Sequence, residues 1–453
     1  MKRIRISPAQ LVPFSFFVAI VLGTLLLMLP VSVAYGGDTS PLTAAFTSTT
    51  SVCVTGLVVV DTYSNWSFFG QAVILVLIQI GGLGVVAVGS MIMLVGRKKF
   101  TLGDRMLLND SLNIEKSRGL LSFLQRIFKG VFFVELTGAV LYSIRLIPLL
   151  GVGKGIWASL FQSVSAFCNA GMDIIGPNSM MDFNGSFYLM GITMILIVLG
   201  GLGFVVWFDV IDGLRNGLRK RRSLKNIFDH LPVHSRLVLV MTCILLLSGT
   251  LIVLIAEYDN PDTIGNMPLY EKILNSLFQS VTFRTAGFAS VPQDKLTEIS
   301  CLIGYVLMFI GGSPVGTAGG VKTVTAFLVI MNAYSYINKK ENVIFHQRVS
   351  EELMRKAAAI VFVSFAAVFV MTMLLLGRGG IVFTDALYEV VSALATVGLS
   401  RGVTPHLDTA GRVIIIVSMY LGRIGPISMA IFFTRKSGTE KKIRHAEGKF
   451  HVG

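Results

Sequence analysis

The chain runs to 453 residues, of which 53% are hydrophobic and 14% charged, with a formal net charge of +14. Its mean hydropathy is +0.73, and so small a charged fraction, against roughly 25% in soluble domains, excludes an ordinary water-soluble fold and points to the bilayer. Nor does the positive charge point to nucleic acid. It falls in short clusters between apolar runs: Lys2/Arg3/Arg5, Arg97/Lys98/Lys99, Arg215 to Lys225, Lys339/Lys340 and Arg435 to Lys449. Acids (Glu257, Asp259 and Asp262; Asp173 and Asp182) occupy the alternate segments, as cytoplasmic Lys/Arg bias produces. Both termini are therefore expected in the cytoplasm.

The first apolar run predicts a membrane helix over 11–30; it exceeds the roughly 7–15 residues of a signal-peptide core. A short helix over 41–52 follows, then a tract ending Gly56-Leu57, then a second long helix over 71–95. The second quarter repeats the series: a helix over 128–149, a short one over 157–167, a tract ending Gly171-Met172, and a helix over 187–209. In the third the series is 236–256, 270–282, Gly287-Phe288 and 299–331. In the fourth it is 357–376, 383–394, Gly398-Leu399 and 412–434. The short pieces cannot cross a bilayer, which needs about 20 apolar residues, and read as half-membrane helices.

The recurrence is internal self-similarity. The tracts read Phe46-TSTTSVCVT-Gly56, Phe161-QSVSAFCNA-Gly171, Phe278-QSVTFRTA-Gly287 and Tyr388-EVVSALATV-Gly398, the third being one residue shorter. Their glycines lie 171−56 = 115, 287−171 = 116 and 398−287 = 111 residues apart. A second series follows: Gly81-Gly82-Leu83-Gly84, Gly200-Gly201-Leu202-Gly203, Gly311-Gly312-Ser313-Pro314 and Gly422-Arg423-Ile424-Gly425. For Gly81, Gly82, Gly200 and Gly201, close helix packing is the favoured reading. The expected fold is an all-α polytopic membrane protein with four helix–pore-loop–helix repeats, eight transmembrane helices around a central pore. The repeats are expected at 1–100, 101–225, 226–345 (with an intramembrane gating loop) and 346–453 (with a cytoplasmic tail).

Non-helical backbone at membrane depth is tolerated only where it is buried in protein or lines water. Four such tracts around one axis give rings of carbonyl oxygens that can replace the hydration shell of a bare monovalent cation. Glycine lets the chain turn those carbonyls inward at φ > 0, and the half-helices present their negative C-terminal ends to the cavity. No acidic ring lies in the tracts, which argues against a divalent ion. The candidate filter residues are Val54, Thr55 and Gly56; Asn169, Ala170 and Gly171; Thr285, Ala286 and Gly287; and Thr396, Val397 and Gly398.

These tracts, from Val54-Thr55-Gly56-Leu57 through Arg284-Thr285-Ala286-Gly287 to Thr396-Val397-Gly398-Leu399, resemble those of the Trk/Ktr/HKT superfamily of potassium transporters. With Leu421-Gly422-Arg423-Ile424-Gly425-Pro426 added, the chain most resembles the membrane subunit of bacterial Ktr systems over nearly its whole length. Its first tract departs from the family in having Ser51-Val52-Cys53 for a more Thr-rich run. The resemblance implies potassium uptake across a bacterial plasma membrane, with sodium as a possible activator. It also implies a homodimer docked on a cytosolic nucleotide-binding (RCK-type) regulatory ring. All four tracts keep glycine, as in the potassium-selective branch.

Arg423 falls where the other quarters have Gly82, Gly201 and Gly312. It reads either as a structural arginine on backbone carbonyls or as a fixed positive charge below the filter; the resemblance favours the second. The run Gly311-Gly312-Ser313-Pro314-Val315-Gly316-Thr317-Ala318-Gly319-Gly320, followed by Lys322, breaks the third quarter's second helix. By resemblance it is a gating loop, with a passive hinge as the alternative, and its composition suggests a weakly held segment. The gating candidates are therefore Gly311, Gly312, Ser313, Gly316, Gly319, Gly320, Lys322 and Arg423. Cys53, Cys168, Cys243 and Cys301 read as small buried side chains, and the six histidines are scattered. With no nucleophile–base pair, phosphate loop or metal cluster visible, neither an enzyme nor a cofactor is expected. A coupled transporter of another solute and a membrane scaffold are the competing functions.

Overall fold

The computed structural model describes residues 8–84 and 120–425. In the first quarter, α1 (Pro8–Leu27) leads to α2 (Pro41–Cys53), whose start is set by Ser40, which accepts the Thr43 N–H, and by a proline in the first turn. After α3 (Thr62–Asn65), capped by Asp61, comes α4 (Phe68–Leu83). The second quarter holds α5 (Leu120–Leu150), α6 (Val152–Cys168), α7 (Phe187–Leu202), α8 (Phe204–Arg219) and α9 (Leu224–Asp229). The third holds α10 (Val233–Glu257), α11 (Leu269–Phe283), α12 (Glu298–Phe309) and α13 (Thr323–Ile337). A two-residue hairpin follows, β1 (Val343–Ile344) against β2 (Gln347–Arg348). The fourth holds α14 (Glu351–Leu376), α15 (Phe383–Leu394) and α16 (Thr409–Ile424).

Among the described residues, Ser122–Leu150, Val233–Glu257 and Glu351–Leu376 are long and apolar enough to cross a bilayer. Their outward faces carry exposed Phe132, Phe133, Leu247, Phe362 and Phe365, the surface that lipid covers. The expected second helices end early. Those of the first, second and fourth quarters were expected over 71–95, 187–209 and 412–434, but α4, α7 and α16 each have 16 residues. Each stops at a glycine of the second series: Gly84 (φ 88, ψ 128), Gly203 (φ 87, ψ 139) and Gly425 (φ 91, ψ 136). Helical geometry cannot pass through such angles, and only glycine adopts them without strain. Beyond Gly203 the chain turns by 100° into α8. Beyond Gly84 and Gly425 the expected helices lie outside the described residues. In the third quarter α12 ends at Phe309 and α13 begins at Thr323, so the expected helix over 299–331 is interrupted where its glycines cluster.

The short helices are buried against the long ones by hydroxyls as well as by apolar contact. Ser48 donates to Ile20 O (2.7 Å), Ser163 to Glu135 O (2.6 Å) and Ser280 to Leu246 O (2.9 Å), tying α2 to α1, α6 to α5 and α11 to α10. At the alignable place in α15 stands Val390, which is fully buried. One apolar core surrounds α6, with Ile74, Ile78, Phe161 and Phe167; another surrounds α15, with Phe46, Phe283, Leu307 and Tyr388. Cys53, Cys168 and Cys301 are buried as expected, whereas Cys243 is exposed on α10, the side of that helix turned away from the protein.

Candidate functional site

Each short helix ends by unwinding into its tract at a residue of positive φ two places before the tract glycine: Val54 (54°), Asn169 (58°), Thr285 (69°) and Thr396 (52°). The glycines themselves are at 99°, 66°, 82° and 97° for Gly56, Gly171, Gly287 and Gly398. A hydroxyl from the last turns of each helix fastens the unwound backbone. Thr50 Oγ1 accepts the Gly56 N–H (2.9 Å) and Ser392 Oγ accepts the Gly398 N–H (3.0 Å). Ser165 donates to Met172 O, and Thr282 to Phe288 O (2.7 Å). These four hydroxyls were legible in sequence only as part of a general Ser/Thr content. Their role emerges once the tract turns back on its own helix.

The four glycines meet. A Cβ on Gly56 would lie 2.5 Å from Ala170 O, and one on Gly171 would lie 2.7 Å from Ala286 O. On Gly287 it would lie 2.6 Å from Val397 O, and on Gly398 2.2 Å from Thr55 O. The contacts run from the first quarter to the second, third, fourth and back to the first, so the tracts form a closed ring. At every step the neighbour's carbonyl is that of the residue preceding its glycine. No side chain larger than hydrogen fits. Around the ring the hydroxyls of Thr55, Thr285 and Thr396 and the Asn169 amide nitrogen are buried without a protein hydrogen-bond partner among the described residues. Oxygen-rich and free of carboxylates, such a ring suits a dehydrated monovalent cation.

The break between α12 and α13 packs against this ring. A Cβ on Gly319 would lie 2.0 Å from Thr396 Oγ1, and Thr317 Oγ1 lies within hydrogen-bonding distance of Phe167 O (3.1 Å) and Asn169 Oδ1 (3.2 Å). The sequence suggested a weakly held segment; the structure ties it down through its backbone. Gly311 N–H donates to Val321 O, Ser313 N–H to Gly201 O, Thr317 N–H to Gly200 O, and Thr323 N–H to Gly312 O. Its glycines make this possible, because Gly311 and Gly320 are in backbone contact and Gly316 and Gly312 approach the carbonyls of Gly200 and Gly201.

Three cations bind the loop's carbonyls. Lys322 Nζ donates to Ala318 O (2.6 Å), Arg284 to Gly311 O (3.1 Å), and Arg423 to Thr317 O (2.7 Å) and to Gly81 O (2.5 Å). None of the three forms an ion pair among the described residues. Arg423 thus joins the fourth quarter to the loop and to the first quarter. It makes the carbonyl contacts of the structural reading, and no carboxylate pairs with it among the described residues. Sequence reasoning missed Thr317 and Arg284. For Arg284 the signal was available, since a charge inside a tract is as costly as Arg423 mid-span. Gly81 and Gly200 pack as close helix contacts, a Cβ on each lying 2.1 and 1.9 Å from Val52 O and Phe167 O.

Outside the ring, Glu389 is fully buried and accepts from Ser400 Oγ, the Arg401 N–H (3.2 Å) and Thr404 Oγ1 (2.6 Å). Arg401 pairs with Asp385 (2.7 Å) and donates to Gln293 O (3.2 Å), holding the fourth exit segment against the third.

A bundle of long apolar helices packed around four short buried helices and a ring of backbone carbonyls is the build of a multi-pass membrane protein. The TrkH family of cation transport proteins matches residues 8–443, and the chain belongs to it. It is 37% identical to Ktr system potassium uptake protein B of Bacillus subtilis, over 100% of this chain and 98% of that protein. It is 34% identical to the potassium/sodium uptake protein NtpJ of Enterococcus hirae, over 100% and 98%. In fold it is similar to the potassium transporter TrkH from Vibrio parahaemolyticus, with a TM-score of 0.72 at 17% identity over 93% of this chain and 85% of the other.

Proposed function

We propose that the chain carries potassium into the cell through a filter made of Val54–Gly56, Asn169–Gly171, Thr285–Gly287 and Thr396–Gly398. The observation that carries this reading is the closed ring of glycine–carbonyl contacts among the four tracts. Dehydrating a cation costs least where fixed oxygens replace its water, and backbone carbonyls are available at every step of the ring. Around it stand four helix–pore-loop–helix repeats, bounded near residues 100, 225 and 345 and crossing the membrane eight times. Both termini and the basic clusters face the cytoplasm, and the bilayer is the plasma membrane.

The loop over 310–322 is the gate. It closes the path below the filter through Thr317 and Gly319, and Arg284, Lys322 and Arg423 set a positive barrier there. A homodimer docked on a cytosolic nucleotide-binding ring moves the loop, and sodium acts as an activator. Both the Ktr relative and the potassium/sodium uptake relative support the potassium assignment. The proposed test is potassium-limited growth of a strain lacking its own uptake systems, together with potassium and sodium flux into proteoliposomes. Uptake of potassium with sodium excluded supports the filter. Coupled movement of another solute, with no potassium current, would replace it with a secondary transporter.

A further inference from the structure

The 100° turn at Gly203 sends α8 away from the helix it continues, and the sequence of α8 is that of a helix lying in an interface. Ile211, Leu214 and Leu218, spaced i, i+3, i+7, form one face, and they are 55%, 37% and 71% exposed. Basic residues follow: Arg215 and Arg219 on the helix, then Lys220, Arg221 and Arg222 in the turn to α9. None of them forms an ion pair among the described residues.

The turn encloses a cavity of about 320 Å³ lined by Gly213, Asn216, Gly217, Lys220, Arg222, Ile227 and His230. Its shape comes from two glycines one helical turn apart. A Cβ on Gly217 would lie 2.4 Å from the Ile227 side chain and one on Gly213 2.8 Å from that of Leu231, just past α9, so the two glycines let these side chains pack close against α8. The turn is fixed by the Arg222 N–H donating to Gly217 O (2.9 Å), and the His230 ring by Nδ1 on Asn226 O (2.7 Å). Asp209, Asp212 and Asp229 are the acids of this hairpin; Asp212 and Asp229 are exposed, Asp209 accepts from the Ser235 hydroxyl, and none of the three lines the cavity. Gly213, Gly217 and Lys220 form a stripe one residue, about 100° of helix rotation, from the Leu214/Leu218 face. The basic cavity therefore opens beside the apolar face. A phosphate seated in it would have hydrocarbon running along Leu214 and Leu218.

We propose that this cavity seats the phosphate of an anionic phospholipid of the inner leaflet, with Lys220 and Arg222 as its donors. The inference rests on the cytoplasmic assignment of this segment made under the proposed function. The shared chemistry, a phosphate anion, could also come from solution; the exposed apolar face favours the lipid.

The test uses the full chain in nanodiscs of phosphatidylcholine with a minor fraction of phosphatidylglycerol. Retained lipid is read by native mass spectrometry after detergent washing, so the readout does not involve transport. Each basic residue near an anionic headgroup contributes about a fivefold gain in affinity, so the K220Q/R222Q double variant should hold phosphatidylglycerol about thirtyfold more weakly. Lys340→Gln, which removes a charge elsewhere, should leave retention unchanged. Equal loss in that control would reduce the effect to bulk surface charge and overturn the site. Displacement of the lipid by inorganic phosphate at matched phosphate concentration would overturn the lipid assignment. So would unchanged lipid retention in the double variant with loss of binding to a cytosolic regulatory ring, which would give the cluster to a protein partner. Potassium flux of the same preparations, measured separately, reads the proposed function independently. Flux retained by the double variant shows that it is folded.

Discussion

Thr317→Val isolates the contact between the proposed gate and the ring above it. Valine keeps the shape of threonine and removes one hydroxyl, leaving in place the Thr317 N–H bond to Gly200 O and the Arg423 bond to Thr317 O. What is lost is the donor shared between Phe167 O (3.1 Å) and Asn169 Oδ1 (3.2 Å). Thr317 and Asn169 are each 1% exposed, so no water replaces it. Leaving a buried acceptor without its donor costs about 1–3 kcal/mol. That cost falls on the closed arrangement alone if opening withdraws Thr317 from the ring. A two-state gate then shifts toward open by roughly 5–150-fold. The assay is potassium flux into proteoliposomes holding the chain without any regulatory subunit, compared at equal amounts of inserted protein. A rise of at least about fivefold is expected. Wild-type flux from a correctly inserted variant would refute the reasoning, because the hydroxyl would then hold the same energy in both states.

Gly56→Ser places a Cβ 2.5 Å from Ala170 O at a residue with φ 99, so the ring must spread; potassium-over-sodium selectivity measured by competitive flux should fall by about an order of magnitude, on the scale of 1–2 kcal/mol of lost discrimination. Arg423→Gln removes the charge beneath the ring while keeping a donor for Thr317 O or Gly81 O, and should raise potassium flux; folding yield lost without any rise would assign Arg423 to structure alone. Glu389→Gln exchanges a carboxylate with three donors for an amide that meets them with one oxygen, costing about 2 kcal/mol, seen as a lower Tm and weaker selectivity, with Glu389→Asp restoring part of each.

The short helices were legible because their ends are written locally. The expectations at 41–52, 157–167, 270–282 and 383–394 meet Pro41–Cys53, Val152–Cys168, Leu269–Phe283 and Phe383–Leu394, since the glycine tracts mark where the helices stop; of their starts only the first carries a side-chain cap, and the second lies five residues before the expected one. The breaks at Gly84, Gly203 and Gly425 were not legible. A glycine inside an apolar run is ordinary in a membrane helix, where it serves packing, as Gly81 and Gly200 do. Nothing local separates a glycine that is packed from one that turns the chain. Thr317 was invisible for another reason: its partners, Phe167 and Asn169, are about 150 residues away. Only the fold makes it more than a polar residue in a glycine run. Arg284 and Glu389 stood in plain view as single charges in otherwise neutral columns of the repeat, and reading the four copies against one another would have found both.

Arg423 stands where three sibling positions hold glycine, and that singularity has a consequence for how much charge the conduit can carry. In an assembly of four identical subunits, an arginine at this level would come in fours. Four like charges within a few ångströms of one axis, poorly screened, would repel one another and any passing cation by many kcal/mol. A single polypeptide escapes that dosage rule. It can set one guanidinium to one side, where it reaches Thr317 and Gly81 in two different quarters, and place Lys322 and Arg284 on other carbonyls of the loop. A single chain thus permits a lopsided arrangement of charge that fourfold rotational symmetry forbids.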